Sequence, residues 1–167
     1  MIHEIRRYGD PVLRAKAAPI TEITDSIRVL AQDMIETMRN EPGVGLAAPQ
    51  IGQSVRLIVF ELTNLNIGST AYINPEIIET QGSIRGDEGC LSVPGIYETV
   101  TRSQWIKLKT QTLEGEEIIA EYSDMSAVVL QHEIDHINGI LFIDHLNSLK
   151  RTFLSKKLKK ISSQPYM

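Results

Sequence analysis

The sequence has one cysteine in 167 residues. No disulfide can form within the chain, and a lone thiol suits a reducing compartment such as the cytosol. Aromatic residues make up only 5% of the chain, so its core has to be aliphatic. No apolar run approaches the ~20 residues of a membrane-spanning helix. Met1 to Ile20 carries charges throughout and lacks the apolar core of a secretory signal. These absences lead us to expect a cytoplasmic protein with no membrane partner. There is no internal repeat and no long linker, and the length and the 42% hydrophobic content predict a single domain over 1–167.

Acidic residues are missing from one stretch. After Asp144 there are none, while Lys150, Arg151, Lys156, Lys157, Lys159 and Lys160 give six positive charges. The whole chain has 17 basic and 21 acidic residues, so the part before His145 holds 11 against 21, a net charge of −10. The tail is a separate electrostatic object.

The most informative segment is Gln131-His132-Glu133-Ile134-Asp135-His136, which reads H-E-x-x-H. Residues four apart lie on one face of a helix, a turn apart. Two imidazoles so placed can close on one metal ion, with the intervening Glu near enough to take a proton from water there. The helical setting is good. Ser123 and Asp124 suit an N-cap and a first-turn acid. Met125, Val128, Val129, His132 and His136 form a stripe, and Gly139 suits the stop. The histidines should therefore be at least partly buried.

Two histidines leave a third ligand to find. The metzincin continuation keeps Gly139 but has Phe142 where the third His belongs. A downstream Glu does not exist. Upstream, Cys90 lies in Gly86-Asp87-Glu88-Gly89-Cys90-Leu91-Ser92. Lone cysteines are commonly buried structural thiols, yet flanking glycines and acids do not resemble core. A thiolate with two imidazoles would leave a fourth position open for water. A further segment, Gly43-Val44-Gly45-Leu46-Ala47-Ala48-Pro49-Gln50, lets backbone approach a ligand closely. It lacks the Gly-Lys-Ser/Thr of a phosphate loop and is alone no more than a small-residue turn.

Periodicity predicts a helix from Asp25 to Asn40, with Ile27, Leu30, Met34 and Met38 in register. Strands are expected at Arg56 to Leu62 and Gln104 to Thr112. A turn at Glu114-Gly115 leads to a partner near Glu117 to Tyr122. Asn64 to Thr70 reads as a loop. Asn147 to Ile161 reads as a C-terminal helix with Leu149, Phe153, Leu154 and Leu158 on its apolar side. This order gives an α+β fold, with antiparallel sheet packed around a central metal-binding helix and a basic C-terminal helix at 147–161.

Together, Gly43 to Gln50, Glu88 to Ser92 and Gln131 to His136 resemble the three motifs of the peptide deformylases, G-x-G-L-A-A-x-Q, E-G-C-L-S and H-E-x-D-H, in that order. The resemblance covers nearly the whole chain and implies the same α+β architecture. It implies a metallohydrolase that removes the formyl group from the N-terminal formyl-Met of nascent peptides, releasing formate. By resemblance, Cys90, His132 and His136 hold the metal, Glu133 is the general base, and Gln50 with the Leu91 backbone N–H stabilises the oxyanion. Backbone at Gly45 and Gly89 would pair with the peptide, and Val44, Met125, Val128 and Val129 would surround the Met side chain.

The resemblance implies Fe2+ in the cell, with Zn2+, Ni2+ or Co2+ in isolated protein. It also implies that the basic helix docks on the ribosome near the exit tunnel. There are departures. Asp87 stands where some members have Glu, and Tyr97 where some bacterial members carry an Arg near the substrate. Gly86 adds no apolar side chain to the pocket rim. An ordinary small metallopeptidase, and a folded but inactive binding protein, are the competing readings.

Overall fold

The computed structural model describes residues 1–164. After a 3-10 turn at Pro11–Arg14 comes helix α1, Asp25–Asn40. Thr24 caps it by accepting from the Ile27 N–H, and Asp25 and Arg39 complement its dipole at either end. Met34 and Met38 are fully buried with Ala31, while Ile27 and Leu30 pack half-buried beside them.

Strand β1 is Gly45–Ala47, followed by a 3-10 turn at Ala48–Ile51. Next come β2, Leu57–Glu61, and β3, Ser69–Gln81. Then follow β4, Ile84–Cys90, and β5, Val93–Arg102. The last strands are β6, Trp105–Gln111, and β7, Glu117–Ser123. One antiparallel sheet runs β1-β2-β3-β6-β7, while β4 and β5 form a separate two-stranded ribbon.

The continuous apolar run of β2 has a physical reason. Its residues alternate between two covered faces. Leu57 and Val59 pack with α1, while Ile58 and Phe60 pack against helix α2, Asp124–Ile137. The expected hairpin joins β6 to β7, with Gly115 at φ +86° donating its N–H to Thr112 O at 2.9 Å.

Helix α2 lies across the sheet as expected. Its inner side, Ala127, Leu130, Ile134 and Ile137, is buried on Ile106 and Leu108 of β6. Beyond its end, Gly139 adopts φ +75° and bonds the His136 carbonyl at 3.1 Å. A Cβ there would lie 2.6 Å from the Arg14 carbonyl oxygen, so the stop requires glycine. The chain then turns through Phe142–His145 into α3, Ser148–Ser163, capped by Asn147.

Several expectations need correction. On α3 the buried residues are Leu154, Leu158 and Ile161, whereas Leu149 is 66% and Phe153 76% exposed. The helix packs on Ile96 and Val100 of β5 and on Leu141–Ile143. That surface takes one i, i+4, i+7 stripe, and Phe153 and Leu149 lie roughly 100–140° round the helix from it. The loop expected at Asn64 to Thr70 gives up its last two residues to β3. Strands β1, β3, β4 and β5 had no counterpart in the periodicity; in β4, Gly86, Asp87 and Gly89 are poor strand formers. Pairing along β5 holds them extended.

Candidate active site

Three elements converge on one point. Cys90 closes β4 at the tight connection to β5, where it pairs with Val93. His132 and His136 stand one turn apart on α2, with ring centroids 5.0 Å apart. Cys90 Sγ is 3.3 Å from His136 Nε2. The ligand atoms of Cys90, His132 and His136 all lie within 4.8 Å of one another, which is compatible with bonds of about 2.0–2.3 Å to a shared ion. His132 is half-buried and His136 buried, as the stripe predicted.

Gln50 reaches the same point from the turn after β1. Its Oε1 accepts from the Ala47 N–H at 3.0 Å. That fixes the amide, and Nε2 then donates to Ser92 Oγ at 3.1 Å and faces Cys90 Sγ at 3.6 Å. Gly45 lies directly against Glu133, and a Cβ on it would fall 2.9 Å from both Cγ and Cδ of that side chain.

A cavity of about 530 Å³ opens over these groups. Val44, Gly45, Gln50, Gly89, Cys90, Leu91, Tyr97, Met125, Val128, Val129, His132 and Glu133 all line it. His136 lies behind, buried. Val44, Met125 and Tyr97 are exposed at 56%, 59% and 74%, so they border the mouth rather than the floor.

The polypeptide deformylase family model matches residues 2–152. The chain belongs to this family. A peptide deformylase of Desulfotalea psychrophila is 48% identical over 162 residues, spanning 95% of this chain and 96% of that protein. One from Alkalilimnicola ehrlichii is 44% identical over 98% of this chain and 92% of its own length. The peptide deformylase structure from Thermus thermophilus superposes with a TM-score of 0.92 at 43% identity, covering 99% of this chain and all of that one. This deformylase is therefore a metal-dependent hydrolase that removes the formyl group from N-terminal formylmethionine.

The burial of His136 and Glu133 in the deformylase site fits such an ion. Burial holds His136 well below its usual pKa, in the neutral form that ligates metal. Burial opposes protonation of His132 too, but its bonds to Cys90 and Glu88 outweigh that and push its pKa up. Burial pushes the Glu133 carboxyl up to about 7. Among the described residues, its Oε1 and His136 Nδ1 are the buried side-chain polar atoms without a hydrogen-bond partner. A carboxylate kept in this way beside a thiol and two imidazoles suits a bound divalent ion and the water it carries.

Sequence reasoning missed the frame behind Cys90, His132 and His136. Glu88 accepts from His132 Nδ1 at 2.9 Å, which turns Nε2 toward the cluster. Arg102 grips Glu88 with Nε and Nη2, both at 2.8 Å, and reaches Asp135 with Nη1 at 2.6 Å. His145 closes the outer end on Asp135 at 2.8 Å. Phe142 stacks on His132 at 6.1 Å. Glu88 and Asp135 left a trace, as an acid two residues before the cysteine and as the acid of the H-E-x-D-H match. Arg102 and His145 have no local pattern around them.

Proposed function

We propose that Cys90, His132 and His136 hold the ion of this deformylase and that Glu133 is its general base. A bound divalent ion supplies Lewis acidity, which lowers the pKa of water and polarises the formyl carbonyl. Glu133 takes the proton of the attacking water and returns it to the departing amine, leaving formate and a free N-terminus. Gln50 Nε2 and the Leu91 N–H donate to the oxyanion formed between those steps. The Met side chain lies among Val44, Met125, Val128 and Val129, an apolar lining suited to a thioether. The peptide backbone runs along Gly45 and Gly89, and Tyr97 stands at the exit.

Fe2+ is the proposed ion in the cell, and Zn2+, Ni2+ or Co2+ would occupy the same ligands in isolated protein. The chain acts as one catalytic domain over 1–167 in the cytoplasm; no helix among the described residues is long and apolar enough to cross a membrane. The basic face of α3 docks on the ribosome, a polyanion from which formylated chains emerge. Its support is the exposure of Arg151, Lys156, Lys157, Lys159 and Lys160 on a helix whose other side is packed.

The observation that carries the catalytic assignment is the buried, unpartnered Glu133 Oε1 in the cavity next to Cys90 and His132. The Glu133→Ala variant tests it. Metal stays stoichiometric by elemental analysis, while formate release from a formyl-Met peptide falls by about 10²-fold or more. Loss of the metal together with activity would make Glu133 a ligand and refute the assignment.

A further inference from the structure

The turn at Phe142–His145 reaches His132 by two routes. The first is direct. Phe142, 1% exposed, stacks on the His132 ring with the two planes 23° apart. The second runs through three side chains. His145 Nε2 meets Asp135 Oδ2 at 2.8 Å, and because a carboxylate only accepts, that nitrogen is the donor. The same Oδ2 accepts from Arg102 Nη1 at 2.6 Å. Arg102 holds both oxygens of Glu88 at 2.8 Å, and Glu88 Oε1 accepts from His132 Nδ1 at 2.9 Å.

Two carboxylates thus share one guanidinium. The Glu88 end is shut away from water, with the Arg102 and Glu88 side chains 4% and 7% exposed. The Asp135 end is not. It borders a second cavity of about 380 Å³, which Ser83, Thr101, Arg102, Asp135 and His145 help to line. Water entering there competes for the Asp135 carboxylate and so for its hold on Arg102. Among the described residues, Arg102 and His145 are the side chains that bond Asp135. With His145 in place the carboxylate is fixed from two directions. Arg102 then keeps the two-point grip on Glu88 that aims His132.

His145 has its own anchor. The Leu141 N–H donates to Asp144 Oδ2 at 2.9 Å across the turn, and Arg14 binds Asp144 with Nη1 at 2.6 Å and Nη2 at 3.2 Å. The turn therefore serves as a fixed post against which Asp135 is set.

We propose that His145 is a positioning residue for the metal centre. It acts on His132 through Asp135, Arg102 and Glu88, and what it contributes is the hydrogen bond to Asp135. The proposal rests on the ligand set proposed above. Removing a group that bonds a ligand ring directly costs about 10–100-fold in metal affinity. His145 stands three side chains beyond Glu88, so the loss expected from it is smaller, about three- to tenfold.

The test compares the full-length parent with His145→Phe, which keeps a ring without the donor, and His145→Gln, which keeps a donor without the ring. The His145 side chain is 37% exposed, so both variants should fold. Co2+ is the probe, its affinity read by competition with a chelator and its coordination by the visible spectrum. The His145→Phe variant should bind Co2+ about three- to tenfold more weakly, with shifted bands. The His145→Gln variant should come within about twofold of the parent and restore the bands. In the metal-free proteins, the His132 Nδ1 proton should exchange with solvent faster in His145→Phe than in the parent, and slow again in His145→Gln. Parent-like affinity and spectrum in His145→Phe, or a His145→Gln variant no better than His145→Phe, would overturn the proposal and leave the ligand set standing. Failure of the parent to bind one Co2+ per chain, or tight binding that survives Cys90→Ala, would instead overturn the ligand set beneath it.

Discussion

Gly45→Ala is the smallest change that reaches Glu133, the proposed general base. Gly45 is paired with Phe60 in the β1–β2 ladder, and its φ lies outside the left-handed region, so the backbone accepts alanine. The obstacle is the new methyl group, which would lie 2.9 Å from both Cγ and Cδ of Glu133 and closer still to Oε2. Carbon atoms pack at about 3.5–4.0 Å. The Glu133 side chain must therefore withdraw by roughly 0.6–1 Å, and a displacement near 1 Å costs on the order of 10²-fold in rate. Overpacking should also destabilise the fold by about 1–3 kcal/mol. Among the groups the new Cβ meets most closely, none is Cys90, His132 or His136, so metal content should stay at one ion per chain. The assay is formate release from a formyl-Met peptide under saturating conditions, with elemental analysis of the same sample. The kcat should fall about 10²-fold with little change in KM. A metal-loaded Gly45→Ala enzyme with kcat within about twofold of the parent would show that the position of Glu133 does not limit the reaction.

Further outcomes follow from the same structure. Burial alone would raise the Glu88 pKa, but hydrogen bonds from Arg102 and His132 outweigh it and hold the group at about 2. Its ionisation therefore stabilises the fold fully above its ordinary value of 4.5, and this is lost as pH falls from there toward about 2. The loss is about 3 kcal/mol. Denaturant midpoints across that range should flatten in Glu88→Gln, and an unchanged slope would count against it. Formyl-norleucine peptides should approach formyl-Met in kcat/KM, whereas formyl-Asp in the Met position should be poor, because its carboxylate would be desolvated without a partner. Comparable values for Asp and Met would contradict the apolar pocket. Replacing Lys156, Lys157, Lys159 and Lys160 with Gln should weaken ribosome co-sedimentation at low salt and spare hydrolysis of a short peptide. Undiminished binding would reduce the basic face to a solvated surface.

Short-range pattern made part of this protein legible in its sequence. The bounds of α1, the β6–β7 hairpin, the stop at Gly139 and the pairing of His132 with His136 each depend on residues within one turn or one hairpin. There, periodicity, capping and turn chemistry act without reference to the rest of the chain. Cys90 stood out for the same reason, as a lone thiol in glycine-rich and acidic surroundings that do not suit a core.

Tertiary structure decided what depends on the path of the chain. Cys90 meets His136 across 46 positions, and Arg102 meets Asp135 across 33. Arg102 is ringed by Glu88, Asp135 and His145 only because β4, β5 and the turn at Phe142–His145 are folded together. β4 is extended because β5 pairs with it, against its own propensities. On α3 the sequence offered a broad apolar side, and the shape of β5 chose Leu154, Leu158 and Ile161 while leaving Leu149 and Phe153 in solvent. A helix states which residues share its faces, but the face that is buried depends on the surface the helix meets.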